Sequence, residues 1–299
     1  MKTLPAFMFI LAAFLLGRAL RLFLAKAELR TFVSVPLDFL TGLTLLSTLL
    51  YFSAWAWQSL TDLSWYPYLF WPWIGLVFLA LFLTYRRQGQ RGPVARSELG
   101  PSWSGFDDRV LIMIEILSTL AIFSWASLLT FSAFYTIGDS VYAAVTVFSD
   151  LSPHTAFVAS FGQGGNIPAQ YPYFSGAGMR YHFFFYFMCG VLHRLGLPLD
   201  WALNLPSFLG IWTFLSLLGN IAVLLLFFFR SSGSGFALLN SYLRDGLSLT
   251  EALVRLRSAP SFAGPLLHDD WGLYNLNVFA NQRHLLWGMS LVLFIFMLF

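Results

Sequence analysis

Residues 110–136 read VLIMIEILSTLAIFSWASLLTFSAFYT, a stretch in which Glu115 is the only charged residue. A helix needs about 20 mainly apolar residues to cross the hydrocarbon core of a bilayer, and this stretch is long enough to do so. The whole chain has the same character, since 58% of its 299 residues are hydrophobic, 10% are charged and the mean hydropathy is +0.71. Soluble domains carry about 25% charged residues, so this composition excludes an ordinary soluble enzyme.

Further apolar runs complete the prediction of an all-α fold, a polytopic transmembrane helical bundle. The predicted spans are 4–23, 33–57, 69–85, 110–136, 181–195, 203–229 and 285–299. The chain divides into N-terminal transmembrane helices at 1–87, a cytoplasmic linker at 88–109 and a core at 110–299. The linker is rich in Gly, Pro and Arg, which favours a boundary there.

Lysine and arginine residues orient the predicted bundle, because cytoplasmic loops carry an excess of them. Five arginines crowd the linker and its flanks, whereas 58–68 and 137–179 contain neither Lys nor Arg. We therefore expect extracytoplasmic loops at 137–180 and, by the same count of spans, at 231–284, although four arginines in the latter fit the rule poorly. The net charge of +3 is interpreted as a mark of topology and not of nucleic-acid binding.

The first of these loops predicts two short helices at the membrane surface, over 141–148 and 152–162. Asp139 or Ser140 is a suitable N-cap for the first helix, and Ser152 for the second. The second helix carries an apolar stripe at helical spacing that is typical of an interfacial helix.

Asp150 lies on the predicted turn between these two helices. A carboxylate in that place is suited to accept a substrate proton or to bind a divalent metal, and the free amides after it favour an anion such as phosphate. The alternative is that Asp150 only stabilises a helix start, an effect of about 0.5–2 kcal/mol. Asp139 is more consistent with capping than with metal binding. His154 is consistent with a packed histidine as well as with a ligand.

The second loop contains a capping box at 248–251 followed by an apolar stripe, which predicts an interfacial amphipathic helix. Gln282, Arg283 and His284 then gather where the chain re-enters the membrane. The planar fork of Arg283 matches a phosphate bidentately, and an arginine at a wet membrane boundary suits a lipid-linked phosphate. Simple snorkelling to lipid headgroups is the alternative.

Several loop segments together resemble a known family. They are SDLSPHTAFVASF at 149–161, GGNIP at 164–168, YPYFSG at 171–176, RYH at 180–182, RLGLPLDWALNLPS at 194–207 and NQRH at 281–284. This pattern resembles the large extracytoplasmic loops of polytopic glycosyltransferases of the C superfamily (GT-C), in particular bacterial proteins grouped with dolichyl-phosphate-mannose mannosyltransferases. The resemblance covers about half of the chain.

The resemblance implies a reaction and a site. In that superfamily an acidic residue just outside the first core span is the catalytic base, the donor is a polyprenyl-phosphate sugar, and some members require a divalent cation. It therefore implies that Asp150 is catalytic, and that Mg²⁺ or Mn²⁺, if required, would be bound by Asp150 or Asp139. The implied substrate-binding residues are His154, Arg180, His182, Gln282, Arg283 and His284.

The hypothesis drawn from the sequence is a glycosyltransferase of the bacterial plasma (inner) membrane. It would move a sugar from a polyprenyl-phosphate donor to an acceptor on the extracytoplasmic face, with membrane lipid as its surroundings and no nucleic acid as partner. The last apolar run, 285–299, is shorter than an untilted crossing needs, so we expect a truncated or degenerate member of the family. The alternative is a non-catalytic polytopic membrane protein, either a transporter subunit or a lipid-binding scaffold.

Overall fold

The computed structural model describes residues 3–24, 29, 31–61, 69–88, 108–144, 148–174, 176–218, 233–257 and 281–298. These residues form helices and one antiparallel β-hairpin. The elements in chain order are α1 (Leu4–Leu24), α2 (Thr31–Thr61), α3 (Phe70–Gln88), α4 (Asp108–Ala133), β1 (Phe134–Ile137), β2 (Ser140–Ala143), α5 (Phe148–Gly162), α6 (Phe184–Arg194), α7 (Leu199–Leu218), α8 (Gly233–Arg244), α9 (Leu249–Arg257) and α10 (Arg283–Leu298).

Four of the described helices are long and apolar enough to cross a membrane. They are Leu4–Leu24, Thr31–Thr61, Ile112–Ala133 and Leu199–Leu218, and α3 and α10 contain shorter apolar helices. The prediction of a mainly helical chain is therefore confirmed, with a small hairpin that the prediction lacked.

Helices α1 and α2 meet backbone to backbone. A Cβ atom added at Gly17 would collide with the carbonyl of Asp38, and one at Gly42 would collide with the carbonyl of Ala13. Ala13 and Gly17 lie four positions apart, the spacing of small residues that lets apolar helices approach closely. One turn later Arg21 donates from Nε to Asp38 Oδ1 at 2.6 Å and from Nη2 to Oδ2 at 3.0 Å, so the two charges are paired where the helices touch.

The bundle has two distinct ends. At the basic end, α1 ends while α2 and α4 begin, and the backbone N–H of Phe32 donates to Glu115 Oε1 at 3.4 Å. At the opposite end, called the hairpin end, α2 and α4 end and the hairpin follows α4 directly. There the Tyr51 hydroxyl accepts from the backbone N–H of Ala169 at 3.2 Å. The two stretches without Lys or Arg, 58–68 and 137–179, both adjoin helix ends at the hairpin end.

Helices α7 and α10 start at the hairpin end and run parallel. Asn204 and Arg283 bond near their starts, and Ser290 Oγ donates to the carbonyl of Gly210 at 3.2 Å further along. Towards the basic end, Thr213 Oγ1 donates to the carbonyl of Pro36 at 3.0 Å. Helix α7 thus heads for the basic end.

The predicted crossing at 181–195 is not a spanning helix in the structure. Helix α6 has 11 residues, which at 1.5 Å per residue cover about 16 Å, roughly half of a hydrocarbon core. It is buried against α5 instead, where Gly162 and Gly190 bring the two backbones together. Without this crossing, the loop predicted to be extracytoplasmic at 231–284 follows a helix that points to the basic end. Arg283, the last of the four arginines in that loop, nevertheless lies at the hairpin end, where α10 begins.

The predicted helix over 141–148 is also wrong, since 140–143 forms strand β2. Gly138, with φ of 59°, and Asp139 make the two-residue turn of the hairpin, and Val141 and Tyr142 are strand formers. Helix α5 begins at Phe148, not after Ser152, and it ends at Gly162 as predicted.

One further prediction is confirmed, and several predicted segments lie outside the described residues. The capping box is confirmed, because Ser248 N–H donates to Glu251 Oε2 at 2.9 Å at the start of α9. Most of the linker at 88–109, the second half of the span at 203–229 and residues 258–280 lie outside the described residues.

We predict that Gly17→Ala destabilises the protein. The added methyl group meets a backbone carbonyl that cannot rotate away, and overpacking of this kind costs about 1–3 kcal/mol. Thermal unfolding in detergent should show a lower midpoint. The matched control is Gly75→Ala in α3, where a Cβ atom meets nothing within 4 Å and helix propensity gains up to about 1 kcal/mol. Equal shifts in the two variants would contradict the close contact of α1 and α2.

Candidate functional site

A buried guanidinium forms the base of the candidate site. Arg283, at the start of α10, is 2% exposed. Its Nη1 donates to Asn204 Oδ1 in α7, and its Nη2 donates to the backbone carbonyl of Thr130 in α4 at 3.3 Å. The expectation of an arginine at a wet boundary is therefore wrong. A buried charge is tolerated only when hydrogen bonds satisfy it, and here two helices, α4 and α7, supply those partners.

The same residues of α7 hold the root of the hairpin. Asn204 Nδ2 donates to the carbonyl of Phe134 at 2.7 Å, so its amide group links the hairpin to the guanidinium. One turn earlier, Asp200 Oδ2 accepts from the backbone N–H of Thr136 at 3.0 Å. The polar side chains of α7 thus fix where α4 ends and the hairpin begins.

Asp150 lies directly beside the segment that carries Arg283. It is half-buried in the first turn of α5, and Gln282 Nε2 donates to its Oδ2 at 3.4 Å. Two regions separated by more than a hundred residues of chain therefore meet at the hairpin end. Asp139 is exposed in the hairpin turn and is not part of this group.

Histidine and tyrosine rings form a connected cluster next to Asp150. His154 Nε2 lies 3.4 Å from the Tyr181 hydroxyl, and its ring stacks on Tyr186 at 4.7 Å between centroids. The Tyr186 hydroxyl lies 3.3 Å from His284 Nδ1, and the ring centroids of His182 and His284 are 3.5 Å apart at an interplanar angle of 34°. Three of the five histidines of the chain are thereby gathered at one place. Arg180, one residue before Tyr181, is exposed.

His154 is neutral at physiological pH. Burial, helped by the nearby charges of Arg283 and His182, lowers the pKa of His154 to about 4 from its ordinary 6.5. Its Nδ1 is buried without a hydrogen-bond partner among the described residues, so part of its bonding capacity is unused. Burial also raises the pKa of the Tyr181 phenol, which stays protonated and can donate a hydrogen bond.

The described part of the chain offers no preformed cluster of metal ligands around the two acids that the resemblance suggested. No group of three or more His, Cys, Asp or Glu side chains there is arranged to hold a metal ion. Asp139 and Asp150, the two acids predicted as ligands, lie in different elements, one exposed and one hydrogen-bonded to Gln282.

Sequence reasoning overlooked three residues of this site. Asn204 could have been noticed as an amide side chain within an apolar span, a position where polar groups have a structural or functional reason. Tyr181 lies inside the RYH segment at 180–182, but the resemblance implies a role only for its neighbours Arg180 and His182. Tyr186 gave no signal, because an aromatic residue in an apolar run is ordinarily packing.

We predict that Arg283 is required for stability. In Arg283→Ala the buried amide of Asn204 and the carbonyl of Thr130 lose a donor, at about 1–3 kcal/mol for each group left unpaired. Arg283→Lys keeps the charge but not the fork, so it should be intermediate. Thermal unfolding in detergent is the measurement, and exposed Arg180→Ala is the control. A wild-type midpoint for Arg283→Ala would show that the guanidinium is not the tie between α4, α7 and α10.

We also predict that His154 makes the protein less stable in acid. The folded-state pKa of about 4 lies below the ordinary 6.5, so the unfolded chain binds the proton first. Stability is therefore complete above pH 6.5 and falls as the pH drops towards 4, by at most about 3 kcal/mol. Unfolding midpoints at pH 7.5 and 5 should differ less in His154→Phe, which keeps a ring but cannot titrate. An unchanged difference would assign the acid sensitivity to other groups.

Comparison with protein family models, curated proteins and solved structures gave no match. The function of the chain is therefore inferred from its own residues. At the hairpin end, the side chains that can transfer protons or bind a ligand are Asp150, Gln282 and the clustered histidines. They lie next to the buried charge of Arg283.

Proposed function

We propose that the chain is a multi-pass protein of the bacterial plasma membrane with its hairpin end on the extracytoplasmic side. Four helices of sufficient length and apolar composition support the membrane location. The distribution of arginines supports the orientation, since the loop after α1 and the stretch before α4 are basic while both stretches without Lys or Arg adjoin the hairpin end.

We propose further that this protein is a glycosyltransferase that uses a polyprenyl-phosphate sugar. The observation that carries the proposal is the contact of Asp150 with Gln282, immediately beside the buried charge of Arg283. A carboxylate that can accept a proton and a fixed positive charge thus lie at one end of the bundle. Transfer from a lipid phosphate needs both.

In the proposed step, an acceptor hydroxyl attacks the anomeric carbon of the donor sugar. Asp150 takes the hydroxyl proton while the bond between that carbon and the phosphate oxygen breaks, and its electron pair stays on the polyprenyl phosphate. The negative charge that develops on the phosphate is stabilised by preorganised positive charge and hydrogen-bond donors.

The buried position of Arg283 changes its part in this step. Its fork is already bonded to Asn204 and Thr130, so it acts through its field and not by gripping the phosphate. Direct contacts to the phosphate fall to exposed neighbours. His182 and Arg180 are both exposed at the same end.

We predict that Asp150→Asn abolishes transfer while donor binding and folding remain, because only the proton acceptor is lost. The assay incubates the full chain in proteoliposomes with radiolabelled polyprenyl-phosphate mannose or glucose and measures release of polyprenyl phosphate. Asp139→Asn, in the exposed turn, is the matched control and should keep wild-type activity.

The outcomes separate the two functions considered. Equal turnover by wild type and Asp150→Asn would refute the catalytic assignment of Asp150. Donor binding by wild type and both variants with no turnover in any of them would favour a lipid-binding scaffold. If the wild-type protein neither binds the donor nor releases polyprenyl phosphate from it, the glycosyltransferase proposal is rejected.

A further inference from the structure

The β-hairpin presents an apolar surface although it lies outside the helical core. Tyr135 pairs with Tyr142 across the strands, and their rings stack at 5.3 Å with an interplanar angle of 10°. Ile137 is two residues from Tyr135 and therefore lies on the same face. Tyr135 is 37% exposed, Tyr142 is 44% exposed and Ile137 is 61% exposed.

The hairpin continues the most exposed of the spanning helices. Only 17% of the apolar window in Ile112–Ala133 is buried inside the protein, so the outer side of α4 suits contact with lipid. Its 22 residues cover about 33 Å, and a hydrocarbon core is about 30 Å thick. Because β1 begins at the next residue, Phe134, the hairpin starts where the hydrocarbon ends.

Two physical constraints locate the hairpin in the headgroup layer. The outer edge of β1 is bonded to Asn204 and Asp200 of α7. Strand β2 has no further strand on its outer edge, and backbone N–H and C=O groups left unpaired there are too costly within hydrocarbon. A patch of two tyrosines and an isoleucine is in turn poorly suited to water. Tyrosine prefers the layer between the two, where the ring is in an apolar environment and the hydroxyl is hydrated.

We propose that the hairpin 134–143 binds the lipid headgroup layer through the face formed by Tyr135, Ile137 and Tyr142. The occupant of this face is the membrane in which the protein itself resides, because the face is continuous with the exposed side of α4. This proposal rests on the membrane location and is independent of sugar transfer.

The hairpin then sets the depth of the candidate site. Its root is bonded to Asp200 and Asn204, and Asn204 also bonds Arg283. A hairpin held at the headgroups therefore holds Asp150 and its neighbours at the level where the phosphate of a lipid-linked molecule lies.

The test places a nitroxide label at single positions of the full chain in liposomes of phosphatidylethanolamine and phosphatidylglycerol. Relaxation by oxygen and by a water-soluble nickel chelate gives the depth of each label. The hairpin label is Ile137→Cys, the hydrocarbon control is exposed Leu120→Cys in α4 and the water control is exposed Gln163→Cys. Cys189 is fully buried, and the native protein measures any background label.

The Ile137 label should lie within about 5–10 Å of the headgroup boundary, and the Leu120 label more than about 10 Å inside it. Replacing both tyrosines by serine should move the Ile137 label towards the water value. If the Ile137 label is as accessible to nickel as the Gln163 label while the Leu120 label is deep, the hairpin proposal is overturned and the membrane location stands. A Leu120 label that is also accessible to nickel overturns the membrane location, and a hairpin depth unchanged by the serine variant overturns the role of the tyrosines.

Discussion

The burial of one guanidinium is the constraint on which the hairpin end depends. Arg283 is 2% exposed, and an unpaired charge at that depth would cost several kcal/mol, so its donors must be satisfied by groups held in place. Those groups come from the amide of Asn204 and the carbonyl of Thr130, which lie in α7 and α4. Once they are fixed, the neighbours Gln282 and His284 have little freedom, and the position of Asp150 beside Gln282 follows.

Much of the helical framework could be predicted because membrane spans are a local property of composition. The predicted spans at 4–23 and 33–57 agree with α1 and α2 to within a few residues at most ends. The end of α5 at Gly162 and the capping box before α9 were equally local, since each depends on one short sequence signal.

The errors arose where tertiary contacts decide between two locally acceptable structures. Asp139 is a good helix cap and also a good turn residue, and the positive φ of the preceding Gly138 settles the choice for a hairpin. The apolar run at 181–195 is buried by α5 and not by lipid, which composition cannot distinguish. The depth of Arg283 depends on Asn204, a residue 79 positions away. The proximity of Asp150 to residues 281–284 is not a local property of the sequence. It was expected only from the predicted topology together with the resemblance to the GT-C family.

For the membrane protein proposed above, the contact of α1 and α2 has a consequence for how these two helices would enter the bilayer. Arg21 lies near the end of α1 and Asp38 near the start of α2, so each helix taken alone would carry an unpaired charge at the edge of its apolar segment. An unpaired charge that enters hydrocarbon is costly. Joined by the Arg21–Asp38 ion pair and the glycine contacts, the two helices neutralise these two charges where they touch. They are suited to leave the insertion machinery together as a helical hairpin, ahead of α4 and α7, and to offer those later helices a surface that is already assembled.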